Sequence, residues 1–193
     1  MRRLTKQSFK LHYNSPVILT FSLLAILIFL INLVVPFFTF RYFSVGSSMS
    51  LLNPIDYWRL VSHVLGHGSW GHLVGNLSYI LLLGPILEEK YGSQNMFWMI
   101  FLTALFTGII NVLFFSQGLL GASGIVFMFI ILVSIVDIEE GKIPLTFLLV
   151  ALIFVGRELI NIFQPDGTSQ IAHIIGGIAG GFFGFMLAPR RRS

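Results

Sequence analysis

The fold class is decided by one uncharged run of 19 residues, VILTFSLLAILIFLINLVV, which extends from Val17 to Val35. A helix of about 20 mostly apolar residues is long enough to cross the roughly 30 Å hydrocarbon core of a bilayer. No small-residue cleavage site follows the run, so we interpret it as a membrane span rather than as a signal peptide. Five further apolar segments follow it along the chain.

The composition also indicates a membrane protein. Of the 193 residues, 55% are hydrophobic and only 10% are charged, whereas a soluble domain has about 25% charged residues. The net charge is +4, but the basic residues cluster at the two ends of the chain, at 2–10 and 190–192. Such clusters are typical of cytoplasmic flanks of membrane spans, so we expect no nucleic-acid partner. The chain has no cysteine, which excludes disulfides and thiolate catalysis.

These segments predict an all-α membrane protein with six transmembrane helices. Two basic ends place both termini in the cytoplasm, which requires an even number of spans. We therefore expect a cytoplasmic segment at 1–16, a membrane domain at 17–188 and a basic cytoplasmic tail at 189–193. A bare six-span chain suggests a multi-pass protein of a prokaryotic plasma membrane. The predicted spans are 17–35, 72–87, 95–115, 123–136, 145–162 and 171–188.

Three of the predicted spans, the second, fourth and sixth, are short. At about 1.5 Å of rise per residue, each covers only about 21–24 Å before the charges or proline that end it, so each begins below the outer surface. Non-helical backbone at such depth is tolerated around a protein-lined or water-filled cavity. We therefore predict a water-accessible pocket, open to the outer side, with Ser123, His173, His72 and Asn76 around it.

The fourth span begins with Gly121-Ala-Ser123-Gly124. A serine at a helix start lies near exposed amides that can also hold an oxyanion. The alternative is an ordinary N-cap serine with glycines that allow close helix packing. This motif alone does not decide between the two interpretations.

The last span begins near His173, and glycines at 176, 180 and 184 continue along the same helix face. A ridge of small residues lets a neighbouring backbone approach closely. If that neighbour is the span that starts at Ser123, the imidazole can take the serine proton, as in acyl transfer. The alternative is a histidine bonded to a loop carbonyl, on a helix kept small for packing.

The stretch that leads into the second span is His67-Gly-Ser-Trp-Gly-His72-Leu-Val-Gly-Asn76, with His67 in the preceding loop. His72 and Asn76 are four residues apart and share a helix face, so both can donate to one developing oxyanion. A zinc site at His63, His67 and His72 is the competing functional interpretation. No glutamate completes an H-E-x-x-H arrangement, so we predict no metal. A polar helix start that caps itself is the structural alternative.

In their order along the chain, these motifs resemble the rhomboid family in its minimal six-helix bacterial form. The resemblance covers residues 55–188. It rests on Trp58-Arg59, on His67, His72 and Asn76, on Glu88 with Tyr91-Gly-Ser93, on Gly121-x-Ser123-Gly124, and on Ala172-His173 with the glycine ridge.

The resemblance implies an intramembrane serine endopeptidase without a cofactor. It implies Ser123 as nucleophile, His173 as general base, and an oxyanion hole of His72, Asn76 and the Ser123 amide. Its substrates would be transmembrane proteins in the lipid bilayer, cut near the outward-facing end of a helix. The supporting residues would be Gly121, Gly124, Phe127, His67, Gly176 and Gly180, with Phe127 at a position where family members often have a tyrosine.

Three other functions compete with the protease. A catalytically silent rhomboid-like protein would bind membrane helices without cutting them, but it usually lacks the serine or the histidine. A small transporter would also have polar residues around a wet pocket, yet the chain has no evident inverted repeat. A structural anchor would leave the shared depth of serine, histidine and asparagine unexplained.

Overall fold

A computed structural model of the chain describes residues 13–46, 49–115, 118–135, 145–146, 148–149, 152–153 and 170–187. Within these ranges every regular element is a helix, apart from a single bridge between Val45 and Leu119. The all-helical prediction is therefore confirmed for the described part. Most of the predicted span at 145–162, the basic tail and all but the last four residues of 1–16 lie outside the described residues.

Helix α1 (Pro16–Val34) is apolar around its whole circumference. Its inner face buries residues such as Ile18 and Phe29, whereas Leu23 and Leu27 on its other face are exposed. A helix that is hydrophobic on all sides belongs in a protein core or in a membrane. Because the exposed side chains on the outer face of α1 are leucines and a valine, this face is suited to hydrocarbon rather than to water.

The start of α1 is held by a carboxylate from a distant part of the chain. The amide groups of Val17 and Ile18 donate to the two carboxylate oxygens of Glu88, at 3.1 and 3.0 Å. Glu88 is only 4% exposed. A carboxylate is favoured there because the first amides of a helix lack backbone acceptors and carry partial positive charge.

The connection between α1 and the next long helix folds into short helices. These are α2 (Phe38–Phe43), α3 (Pro54–Ser62) and a single 3₁₀ turn (His63–Leu65). Helix α3 begins where the Asn53 side chain accepts from the amide of Ile55, with proline at the first helical position, both ordinary start signals. Arg59 pairs with Asp56 at 2.6 Å and donates to the carbonyl of Arg41, which ties α3 to α2.

Two long helices follow as a hairpin, α4 (Trp70–Tyr91) and α5 (Ser93–Phe114). Helix α4 begins where the Ser69 hydroxyl accepts from the His72 amide at 3.2 Å. With 22 residues, α4 is longer than the 72–87 segment expected from the sequence. The helix continues through the charged residues expected to end the span, because buried Glu88 is bonded inside the protein.

The last described helices are α6 (Ser123–Ile135) and α7 (Gln170–Met186). By length and apolar composition, α1, α4 and α5 are each able to cross a membrane, whereas α6 and the apolar part of α7 are shorter. Helices α6 and α7 pack side by side, with α4 and α5 against them. The candidate site residues lie at the ends of α4, α6 and α7.

Candidate active site

The turn before α6 is held by the connection between α1 and α4. The amide of Gly121 donates to the carbonyl of His63 at 3.0 Å, and Leu119 exchanges two backbone hydrogen bonds with Val45. Gly121 has φ +118°, a backbone conformation that side chains oppose. This conformation aims the chain into α6, whose first residue is the half-buried Ser123.

His72 and Asn76 lie directly against this turn. A Cβ atom added at Gly121 would lie 2.5 Å from Nε2 of His72 and 3.6 Å from Nδ2 of Asn76. Glycine is therefore required at 121 both for its φ and for its closeness to the imidazole. Nε2 of His72 and Nδ2 of Asn76 therefore both lie close to the backbone of Gly121, two residues before Ser123.

His67 fixes the orientation of the Asn76 amide. Nδ2 of Asn76 lies 3.0 Å from Nε2 of His67, and Nδ1 of His67 lies 3.2 Å from the carbonyl of Leu65. Because an amide nitrogen only donates and a carbonyl only accepts, the His67 proton sits on Nδ1 and Nε2 accepts. Burial lowers the pKa of His67 to about 4, and nearby His72 adds to the shift. The neutral ring that the Asn76 bond requires is therefore the stable form at neutral pH.

His63 joins the same region to α5. Its ring lies 3.3 Å from the Thr107 hydroxyl and 3.3 Å from the carbonyl of Arg59. Burial lowers the pKa of His63 to about 4, although backbone hydrogen bonds oppose the shift. The main-chain carbonyl of the same residue accepts from Gly121, so His63 connects α3, α5 and the turn before α6.

Helices α6 and α7 approach each other backbone to backbone. A Cβ atom at Gly176 would overlap the carbonyl of Gly124, and one at Gly180 would lie 2.6 Å from the carbonyl oxygen of Met128. Near the starts of the two helices, a Cβ at Gly124 would lie 3.0 Å from the carbonyl oxygen of Ala172. Since Ser123 precedes Gly124 and His173 follows Ala172, both lie beside this contact, Ser123 as the first residue of α6 and His173 near the start of α7.

The ring of His173 lies flat on the ring of Phe127. The two ring centroids are 4.3 Å apart and the planes differ by 5°. Phe127 is one turn after Ser123 on α6, and residues four apart share a helix face. His173 also lies within electrostatic range of His72. The half-buried imidazole is therefore held between the face of α6 that carries Ser123 and the start of α4.

This arrangement brings together a hydroxyl, an imidazole and several hydrogen-bond donors. Ser123 begins a helix, where unpaired amides favour negative charge. His72, Ser123 and His173 are all half-buried rather than sealed from solvent. Among the described residues, no three His, Cys, Asp or Glu side chains form a group that could hold a metal ion. The roles assigned to these residues remain predictions.

Two contacts that shape the site were missed in the sequence. One is the His63–Thr107 contact, between residues 44 apart; the sequence offered His63 only as a possible metal ligand. The other is the Leu65 carbonyl, which fixes the His67 tautomer. Thr103 and Thr107 lie four residues apart on one buried face of α5, and this polar pair in an apolar span was the available signal for the first contact.

The chain is similar to known proteins of one family. The model of the rhomboid domain matches residues 54–190. The rhomboid protease GlpG of Haemophilus influenzae is 27% identical over 146 residues, which cover 72% of this chain and 73% of that protein. The rhomboid protease GluP of Bacillus subtilis is 31% identical over 138 residues, 69% of this chain and 26% of that protein.

A plant relative belongs to the same set. RHOMBOID-like protein 5 of Arabidopsis thaliana is 29% identical over 141 residues, 69% of this chain and 45% of that protein. The matched region is thus less than half of the plant and Bacillus proteins. The family match extends from α3 through α7 and so includes every candidate site residue. The resemblance found in the sequence is confirmed: the chain is a multi-pass membrane protein that belongs to the rhomboid family.

Proposed function

We propose that this protein is an intramembrane serine endopeptidase that cuts transmembrane helices near their outward-facing end. Ser123 is the nucleophile and His173 is the general base. The observation that carries the proposal is the stacking of His173 on Phe127, at 4.3 Å between ring centroids. It supports a His173 position beside the face of α6 that begins with Ser123.

The reaction proceeds through an acyl-enzyme. The Ser123 oxygen attacks the carbonyl carbon of the scissile peptide while His173 takes the hydroxyl proton. The C–N bond then breaks, and His173 returns the proton to the leaving amine. Water, deprotonated by His173, hydrolyses the ester and regenerates Ser123.

The oxyanion that forms at each step needs donors near the carbonyl oxygen. We assign this role to the His72 ring, the Asn76 amide and the Ser123 backbone N–H. The closeness of His72 and Asn76 to Gly121 supports the assignment. Because His67 accepts only one hydrogen of the Asn76 amide, the other remains available to a substrate.

A silent rhomboid-like protein that binds membrane helices is the second candidate. RHOMBOID-like protein 5, at 29% identity, is a relative whose name assigns no protease activity. Such a protein has the same fold and the same helix-binding surface. The two candidates differ in turnover alone.

Cleavage of a tagged single-span reporter in detergent distinguishes the two candidates. Wild type is compared with Ser123→Ala and His173→Ala, and with Ser134→Ala as a matched control. Ser134 lies on the same helix and its hydroxyl donates to the Ile130 carbonyl at 2.7 Å. We expect a discrete fragment from wild type and from Ser134→Ala only. Cleavage by Ser123→Ala would refute the proposed nucleophile, and a wild type that binds but never cuts would support the silent relative.

The oxyanion assignment has its own test. Asn76→Ala is expected to lower kcat by about a hundredfold to a thousandfold with little change in KM, because the lost interaction forms with the transition state. Asn95→Ala, which removes a bond to the Tyr91 carbonyl on the far end of the hairpin, serves as control. An unchanged kcat in Asn76→Ala would make Asn76 a structural residue.

A further inference from the structure

A cleft away from the candidate active site separates α1 from α5. It has a volume of about 500 Å³ and is roofed by residues of α3 and the turn after it. This volume lies within the range of about 300–1,000 Å³ for small-molecule sites. Its wall is almost wholly apolar, with the Thr20 and Ser62 hydroxyls and the Trp58 indole as the polar groups of the lining.

The cleft lies in one half of the bilayer. Its lining residues on α1 are confined to 16–24 and those on α5 to 97–104. At about 1.5 Å per residue, these stretches are within about 12–17 Å of the starts of the two helices, which lie on the same side of the membrane. Trp58 of α3 therefore reaches close to the middle of a core that is about 30 Å thick.

The mouth of the cleft is continuous with the lipid-facing surface. Leu24 at one edge is 42% exposed, Phe97 at the other edge is 50% exposed, and Trp58 is 50% exposed. Next to these residues, the exposed side chains of Leu23, Leu27 and Trp98 continue the apolar surface of α1 and α5. Since the protein is a multi-pass membrane protein, lipid chains already cover this surface.

Ordered water is disfavoured over most of this cleft, because eleven of its fourteen lining side chains are apolar. An ordered water needs two to four polar partners, and apolar cavities remain dry. An empty cleft would lose the dispersion contacts of its whole wall. A flexible hydrocarbon chain entering from the adjoining lipid satisfies both conditions. We propose that the cleft between α1, α3 and α5 is a binding site for one acyl chain of a bilayer phospholipid.

The bound acyl chain would pack against the side of α3 that lines the cleft. Helix α3 continues into the turn that begins with His63, whose carbonyl accepts from Gly121. The proposal itself does not rest on proteolysis, and it is tested without a substrate.

Tryptophan fluorescence gives a direct measurement. The chain has three tryptophans, of which Trp58 lines the cleft and Trp98 lies on the lipid-facing surface outside the lining. One variant keeps only Trp58 (Trp70→Phe with Trp98→Phe) and its matched control keeps only Trp98 (Trp58→Phe with Trp70→Phe). Each protein, delipidated in detergent, is titrated with phosphatidylcholine brominated in the middle of its chains, which quenches tryptophan on contact.

We expect Trp58 quenching to saturate at about one lipid per protein, as a single site requires. Trp98 quenching should instead rise in proportion to the lipid fraction of the micelle. Equal, non-saturating curves for the two tryptophans, or no quenching of Trp58, would overturn the proposal.

A second test fills the cleft with a larger side chain. Val61→Phe enters it from α3 and Thr20→Phe enters it from α1, each in the Trp58-only protein. Either substitution should abolish the saturable quenching while the Trp98-only protein keeps its partition curve. If saturable quenching persists in both filled variants, the lipid binds elsewhere and the cleft is refuted as its site.

Two other possible occupants of the cleft would change Trp58 quenching in different ways. If Trp58 becomes quenchable only after residues 2–12 are deleted, the chain's own amino-terminal segment fills the cleft. If Trp58 quenching disappears as the protein concentration rises, a second copy fills it. Either result would replace the phospholipid.

Discussion

Two pairs of helices, on different sides of the molecule, are packed in opposite ways. On one side α6 and α7 touch through their backbones, with Gly176 against the carbonyl of Gly124. On the other side α1 and α5 are separated by a cleft of about 500 Å³. The residues proposed for catalysis lie on the tightly packed side. The two proposals use this difference: close backbone packing positions the proposed catalytic residues, and an acyl chain fills the cleft on the other side.

Among the substitutions that test this difference in packing, the largest effect is expected when a methyl group is added at the contact between α6 and α7. In Gly176→Ala the new Cβ overlaps the Gly124 carbonyl, so α6 and α7 must move apart. A shift of about 1 Å between reacting groups is sufficient to lower turnover about a hundredfold. The overpacking itself should lower the free energy of unfolding by about 1–3 kcal/mol. Reporter cleavage and thermal unfolding in detergent measure the two effects.

Controls for this substitution exist on both sides of the molecule. Gly181→Ala adds the same carbon to the same helix, with no atom of the described residues within 4 Å of it, and should leave turnover unchanged. Val61→Ile adds a carbon facing the cleft and should change stability by less than about 0.5 kcal/mol. If Gly181→Ala were as harmful as Gly176→Ala, loss of glycine rather than helix contact would be responsible.

The loosely packed side depends on one buried carboxylate. Glu88→Ala leaves the amides of Val17 and Ile18 without their acceptors. We expect the free energy of unfolding to fall by about 1–3 kcal/mol, as for other buried groups that lose a charged partner. Glu88→Gln keeps the shape and one acceptor oxygen, so its loss should be smaller.

The neighbouring Glu89→Ala serves as the control for Glu88. Glu89 is exposed, and pairs of exposed charges contribute about 0–1 kcal/mol at most. Thermal unfolding of the three variants in the same detergent measures the comparison. Equal midpoints for Glu88→Ala and wild type would mean that α1 is held by packing and lipid instead.

Acid should loosen the turn that carries the site. Burial lowers the pKa values of His67 and His63 to about 4 in the folded protein, whereas an unfolded histidine has a pKa near 6.5. Between these values the unfolded chain binds more protons, so stability is complete above about pH 6.5 and falls as the pH decreases toward 4. Below about pH 5 carboxylates also titrate, so the midpoint of thermal unfolding is compared between pH 7.5 and pH 5.

His67→Gln isolates the contribution of the ring bonded to Asn76. Because His63 has a similarly lowered pKa, the variant should keep about half of the pH dependence seen in wild type. A glutamine amide still has an oxygen that accepts from Asn76. An unchanged pH dependence in His67→Gln would show that His67 is not buried in its neutral form.

Local sequence patterns predicted the close packing of α7 against a neighbouring helix, but they did not predict the cleft between α1 and α5. Glycines at 176, 180 and 184 recur every four residues, so the face of α7 that approaches a neighbour was visible in the sequence. The structure shows that α6 is that neighbour. The acidic residues at the end of α4 were interpreted as a membrane boundary, because a charge in a span is usually costly.

Contacts between distant residues explain what the sequence left open. Glu88 bonds to amides 70 and 71 residues before it, and no local spacing indicates such a partner. The cleft lies between α1, α3 and α5, which are far apart in the sequence. Its volume depends on how these helices pack in the folded protein, and no local sequence pattern indicates that packing. The proposed roles of Ser123 and His173 came from motifs and resemblance.

The smallest expected effect concerns a side-chain contact on the tight side. Phe127 stacks on the His173 ring, and such an aromatic pair contributes about 0.5–1.5 kcal/mol. Phe127→Leu should therefore lower kcat about two- to tenfold, with KM nearly unchanged, whereas Phe127→Tyr keeps the ring and should retain turnover. Reporter kinetics for the three proteins give both parameters. If Phe127→Leu were as inactive as Gly176→Ala, the ring rather than the helix backbone would set the position of His173, and the contrast between backbone packing and side-chain packing would fail.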